Sequence, residues 1–131
     1  MPDVTAVVVT YDAEEYVERA LASVREVETV VVDNGSGDGT VALVRERFPE
    51  ARVVEQGNVG LAGGWNAGMR AASESRYYLF LNADAWLAPD ALERLVAFAD
   101  AHPRAAVLGP RLRYPDGRLQ RSVRGLSLIH I

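Results

Sequence analysis

The run YYLFLNADAWL, residues 77–87, opens as an apolar β-strand and ends on Asn82 and Asp84, with a turn beyond. Asx residues form turns readily. A carboxylate near an amide oxygen also offers the hard ligands that Mg²⁺ and Mn²⁺ take, ions commonly held between one or two protein carboxylates and substrate phosphates. A diphosphate would complete such a shell. Three other apolar runs end in the same way: VTAVVVT leads to Thr10, Tyr11 and Asp12, ETVVVD to Asp33 and Asn34, and ARVVEQ to Gln56 and Asn58. Asp33-Asn34-Gly35 is a good turn in its own right. Four such endings nevertheless point to a polar ligand. Gly57, Gly60, Gly63 and Gly64 would let backbone lie against a bulky ligand, and would equally serve a loop that needs positive φ.

The elements that must position these residues follow from hydrophobic period. The β-branched run at 4–10 fits a strand buried on both faces, and Val17, Ala20, Leu21 and Val24 behind it fall at helical spacing. The segment 28–33 is a second strand, and NGSGDGT turns it into a helix carrying Val41, Val44 and Phe48. ARVVEQ is a third strand, GNVGLAGG a flexible loop, and WNAGMRAAS a helix with small residues for close approach. After the strand at 77–82, Pro89 starts a helix to Ala101 with Leu92, Leu95, Val96 and Ala99 on one face, and AAVLGP reads as a fifth strand. The alternation predicts an α/β fold: a mostly parallel sheet with helices on both faces. Pro115-Asp116-Gly117, between two short alternating runs, predicts a hairpin.

Composition narrows the chemistry. At 131 residues one domain is expected, with no linker and no internal repeat. The net charge of -4 disfavours a broad nucleic-acid surface, so no nucleic acid is expected as partner. All 14 basic residues are Arg and no Cys is present, which removes Walker-type phosphate loops, Schiff-base chemistry, thiolate metal sites and disulfides. The glycine-rich stretch follows the third strand rather than the first, and TYDAEEY has no glycine, so neither a dinucleotide fingerprint nor a nucleotidyltransferase loop is present. No apolar run is long enough to span a membrane and no leader pattern is seen, so a cytoplasmic location is expected.

The ordered set VVVTYDAEEYVERALASV, VVVDNGSGDGT, NVGLAGGWNAGMRAA and YLFLNADAWLAPDAL resembles the amino-terminal, nucleotide-sugar-binding half of family 2 glycosyltransferases, from about residue 4 to residue 122. The hairpin GPRLRYPDGRLQRS further resembles the rhamnosyltransferase-like bacterial members. The resemblance implies a Rossmann-like GT-A fold, here cut short at its carboxyl end, with residues 1–131 forming the donor-binding part of one domain and 124–131 a non-native or disordered tail. It implies transfer of a sugar, with inversion, from a nucleoside-diphosphate sugar such as dTDP-rhamnose or a UDP-sugar to a saccharide or lipid-linked acceptor. The setting it implies is polysaccharide and cell-wall synthesis at the inner face of the membrane, with peripheral membrane association of the full-length protein. Residue by residue, it assigns Thr10 and Tyr11 to the base, Asp33 to a pyrimidine hydrogen bond, Asp84 to an Mn²⁺ or Mg²⁺ ion on the diphosphate, and Asn82 to the donor. Asn58, Gly60 and Asn66 match the donor-binding segment between the third and fourth strands. The acceptor-side base is expected beyond Ile131, and the 131-residue chain alone is expected to bind donor without transferring it. A non-catalytic nucleotide-sugar-binding fragment is the alternative, and a pure interaction domain the rival from another class.

The other candidates read as structural. Asp12, Glu14 and Glu15 suit a helix start, Trp65 and Trp86 suit core or lid packing, His102 and His130 have no catalytic partners in sequence, and Asp116 sits in a hairpin turn.

Overall fold

The computed structural model describes residues 4–121. Contacts divide it into two compact units, the first running to Leu92 and the second starting at Glu93. In the first unit β1 (Val4–Thr10), β2 (Glu28–Asp33), β3 (Arg52–Glu55) and β4 (Tyr77–Asn82) form one parallel sheet in the order β3-β2-β1-β4. The helices are α1 (Val17–Ala22), α2 (Thr40–Arg47) and α3 (Gly60–Ala71). The chain first winds outward from β1 to β3 and then returns to the other side of β1 for β4, pairing Val9 with Asn82. The order therefore reverses between β1 and β4, the place where open α/β sheets bind ligands at the strands' carboxyl ends.

Strand alternation splits the apolar residues into two cores. Ala6, Val8, Val31 and Leu81 pack with Val17, Leu21, Val24, Val44 and Phe48, so α1 and α2 cover one face; Val9, Val30 and Val32 pack with Trp65, Ala67 and Ala71, so α3 covers the other. Central β1 is buried along its whole length, as its unbroken apolar run requires.

Two expectations are corrected. Residues 57–64 are not a flexible loop throughout: α3 begins at Gly60, and Gly63 and Gly64 lie inside it. Glycine is a poor helix former, but here the sheet decides. A Cβ on Gly64 would come within 2.8 Å of both Val9 methyls, and one on Gly68 would run into Val7 Cγ1 and Val32 Cγ2. The fifth strand is absent. Residues 105–110 form no strand and Val107 is 88% exposed, because two alanines, a glycine and a donorless proline leave too little β-preference to hold a ladder.

In the second unit the remainder of α4 (Ala91–Ala101) is followed by the predicted hairpin. β5 (Leu112–Arg113) and β6 (Leu119–Gln120) pair antiparallel, and Gly117 takes φ 88° in a turn closed by its N–H donating to Tyr114 O. The tail expected at 124–131, with His130, lies outside the described residues.

The α3 packing gives a stability prediction. Gly68→Ala should lower stability by about 1–3 kcal/mol despite the better helix propensity of alanine, since overpacking against β1 outweighs it. Gly57→Ala is the control, because nothing lies within 4 Å of its added Cβ. Urea unfolding checks both, and an equal response at the two positions would contradict the packing.

Candidate functional site

The β1 and β2 ends are tied together by buried side chains on the face covered by α1 and α2. Thr10 is wholly buried and Asp33 only 3% exposed. Asp33 Oδ1 accepts from Thr10 Oγ1 at 2.7 Å and Ser36 Oγ at 2.6 Å, and Oδ2 accepts from Gly35 N at 3.1 Å and Ser36 N at 2.8 Å. Those four bonds fill the lone-pair sites of one carboxylate. Burial pushes the Asp33 carboxyl up, but the donors, led by Ser36, outweigh it and hold it below the ordinary carboxylate range. Asp33 thus already shapes the site without a ligand, and a nucleobase would have to exchange with one of these donors to bond it.

Ser36 carries the tie into the first loop, its Oγ accepting from Asp12 N at 2.9 Å. Asp12 Oδ1 in turn accepts from Gly37 N at 2.7 Å and Glu14 Oε2 from Gly39 N at 3.0 Å, while Asp38 Oδ2 accepts from Glu14 N and Thr40 Oγ1 from Ala13 N. Asp12 and Glu14 therefore do not serve a helix start as expected. They precede α1, which begins only at Val17, and satisfy backbone donors of the 36–39 turn instead. The cost is backbone strain at Asp12, whose φ of 48° lies in the left-handed region that aspartate tolerates better than most residues. Ser36 was missed in the sequence, where the only signal was a small hydroxyl residue after Asn-Gly, a common turn bond.

β4 delivers the other wall. Ala85 N donates to Asn82 O at 3.0 Å, closing a turn with Asp84 at its third position. Ala83, Ala85 and Leu87 point inward against the α1 and α2 core, so the intervening Asp84 and Trp86 face out, and Asp84 is exposed. A cleft of about 250 Å³ lies between the two walls, lined by Tyr11, Asp12 and Tyr16 on one side and by Ala83 and Asp84 on the other. Tyr11 and Tyr16 are 56% and 53% exposed, large aromatic surfaces beside a free carboxylate. That combination suits a planar ring and a diphosphate.

Other predicted positions lie outside this cleft. Asn58 Oδ1 accepts from Gly60 N at 3.0 Å, helping start α3, and Gly60 has φ 78°. Its carbonyl accepts from Asn34 Nδ2 at 3.1 Å, and Asn34 Oδ1 accepts from Gln56 Nε2, so the β2 and β3 ends are locked to the α3 start. Asn66 is exposed on α3, two residues from Gly64 and from Gly68, which face the sheet. Asn82 supplies its backbone carbonyl to the turn and does not line the cleft. Trp65 packs in the α3-side core, 5.0 Å from the Phe80 ring, and Trp86 lies beneath the Arg19 guanidinium, both as packing residues.

Among the described residues no group of three or more His, Cys, Asp or Glu could hold a metal ion. Asp84 alone fits a cation only where phosphate oxygens and water fill the remaining positions, which is how Mg²⁺ is usually bound in nucleotide sites. Also among the described residues, no helix is long and apolar enough to cross a membrane.

Comparison with known proteins gives consistent matches. A family model described as Glycosyl transferase family 2 matches residues 5–128. N-acetylglucosaminyl-diphospho-decaprenol L-rhamnosyltransferase of Mycobacterium tuberculosis is 34% identical over 98% of this chain and 48% of its own length. Succinoglycan biosynthesis protein ExoO of Rhizobium meliloti is 39% identical over 77% of this chain and 31% of its own. The chain thus spans about half or less of the length of these curated relatives. Among solved structures, S. aureus TarS 1-349 in complex with UDP-GlcNAc superposes with a TM-score of 0.66 at 27% identity, over 77% of this chain and 32% of that one.

Proposed function

The chain belongs to glycosyl transferase family 2, and we propose that its β1/β4 cleft binds a nucleoside-diphosphate sugar for transfer to an acceptor hydroxyl with inversion. The carrying observation is the meeting of Tyr11, Tyr16 and Asp84 in one cleft at the point where strand order reverses. The TarS complex with UDP-GlcNAc and the rhamnosyltransferase relative support two donor classes, a UDP-sugar and dTDP-rhamnose. The relatives' names also support a saccharide or lipid-linked acceptor and polysaccharide synthesis.

In this reading the exposed faces of Tyr11 and Tyr16 take the base and ribose side of the donor. Thr10 and Asp33 act through the backbone, holding the Tyr11–Asp12 turn at fixed height above the sheet. Asp84 would hold an Mn²⁺ or Mg²⁺ ion together with the phosphate oxygens of the donor. The bound cation would supply electrostatic stabilisation of charge developing on the departing diphosphate. Asn58 and Gly60 shape the α3 start and Asn66 is exposed on α3, so this reading gives them at most a supporting part in donor binding.

Calorimetry with UDP, dTDP and ADP, each with and without Mn²⁺, tests this reading. Binding of a pyrimidine diphosphate that strengthens at least about tenfold with Mn²⁺ is expected, a gain of about 1.4 kcal/mol. Absence of binding by any of the three would favour an interaction domain.

A further inference from the structure

Asp84 owes its direction to a short, exposed segment, which raises the question of what holds that segment. Two contacts from α1 do. The Arg19 guanidinium lies 3.6 Å from the centroid of the Trp86 ring, and Ser23 Oγ accepts from Leu87 N at 3.1 Å while donating to Ala20 O at 2.7 Å. Arg19 and Ser23 are four residues apart, hence on one side of α1, and they grip consecutive residues of the β4 loop. The Asn82–Ala85 turn is thereby bounded on one side by its own closing bond and on the other by this strap, with Asp84 between.

We propose that Arg19 and Trp86 are positioning residues that hold the Asp84 carboxylate at the cleft, with Ser23 fixing the adjacent backbone. The functional part of this inference rests on the donor reading given above; the mechanical part does not. Trp86 is 37% exposed, and the Arg19 guanidinium stacked on its ring restrains it. The apolar anchors Ala83, Ala85 and Leu87 fix the depth of the loop. They also turn Asp84 and Trp86 outward, and a cation stacked on the outward aromatic restrains the segment further. A stacked guanidinium suits the task because it is planar and stays charged at every working pH.

Two readouts on the chain test the proposal. In hydrogen exchange without ligand, Arg19→Ala and Trp86→Ala should each speed exchange of the Ala85 and Leu87 amides by about two- to fivefold, the range of an exposed cation–π contact. The double variant should be no faster than either single one, since both remove the same contact. Arg19→Lys, which keeps the charge but loses the planar stack, should restore only part of the protection. In calorimetry with UDP, the same variants should weaken binding by a similar factor with Mn²⁺ and leave metal-free binding unchanged. Exchange at Ala85 and Leu87 that is unaltered in Arg19→Ala would overturn the proposal. Faster exchange in a protein whose UDP binding ignores both Mn²⁺ and Asp84→Ala would leave the strap standing and remove the donor reading instead.

Discussion

Asp84→Ala is expected to abolish the Mn²⁺-dependent part of nucleoside-diphosphate binding, weakening it by about tenfold or more, while stability changes by less than about 0.5 kcal/mol. The two halves of this expectation come from one feature. Asp84 is the outward residue of a turn whose neighbours Ala83 and Ala85 carry the packing, so its carboxylate is available to a ligand and unnecessary to the core. Among the described residues no group of three or more metal-ligating side chains surrounds it, and Asp12 across the cleft already accepts from Gly37 N. Calorimetry with UDP and dTDP, beside urea unfolding, measures both effects. Unchanged affinity in the variant would remove Asp84 from the site.

Asp33 should behave in the opposite way. Asp33→Ala strips the acceptor from four donors, two of them backbone N–H groups of Gly35 and Ser36. Leaving these donors unmet, with only the Thr10 bond fully buried, should cost about 1–3 kcal/mol of stability. Donor binding should also weaken, equally with and without Mn²⁺, because the Tyr11–Asp12 turn loses its support rather than the cation its ligand. Asp33→Asn should be much milder. Its amide oxygen can take the two backbone donors while its NH₂ faces the Thr10 and Ser36 hydroxyls, which can rotate to accept. The two variants also separate in acid. Because the folded state holds the Asp33 carboxyl below its unfolded value, its contribution is fully present above about pH 4 and is lost as pH falls through the lowered folded value. Urea midpoints measured from pH 6 down to pH 2 should therefore fall more steeply in the wild type than in Asp33→Asn. Parallel curves would contradict the assignment of acid sensitivity to Asp33.

Much of this arrangement is legible in the sequence because the strands are buried on both faces. Continuous runs such as VTAVVVT and ETVVVD leave little choice of structure, and polar residues at their ends mark the carboxyl edge. The parallel order and the two-sided helix cover follow from alternation, and the Pro115-Asp116-Gly117 hairpin follows from turn chemistry. What sequence could not reveal are effects decided by neighbours distant along the chain. Gly64 looks like a loop residue until Val9 is seen to need the space, whereas Gly68 is legible beforehand as a helix position of close approach. Asp12 and Glu14 look like helix-start acids until the 36–39 backbone is found across from them. AAVLGP has an apolar look, but nothing local to sustain a strand. In the site, Tyr11 and Asp84 were legible as strand-end residues. Tyr16, Ser36 and Arg19 were not, since each acts across a gap of many residues in sequence or from the exposed side of a helix.

The placement of the donor at the β1/β4 crossing can be measured by paramagnetic broadening of backbone amide signals in the isotope-labelled chain, with Mn²⁺ added in the presence and absence of UDP. Broadening should require UDP, be strongest at Tyr11, Asp12 and Ala83 to Ala85, and fade along the strands toward Glu28, Ser73 and Ser75. Those three residues cluster at the amino ends, Ser73 on the Glu28 carboxylate and Ser75 on Thr5, which itself donates to Glu28, about 20 Å away at the usual rise of a six-residue strand. Broadening centred on the amino ends, or on α4 and the hairpin, or unchanged by UDP, would contradict a nucleoside-diphosphate site built around Asp84.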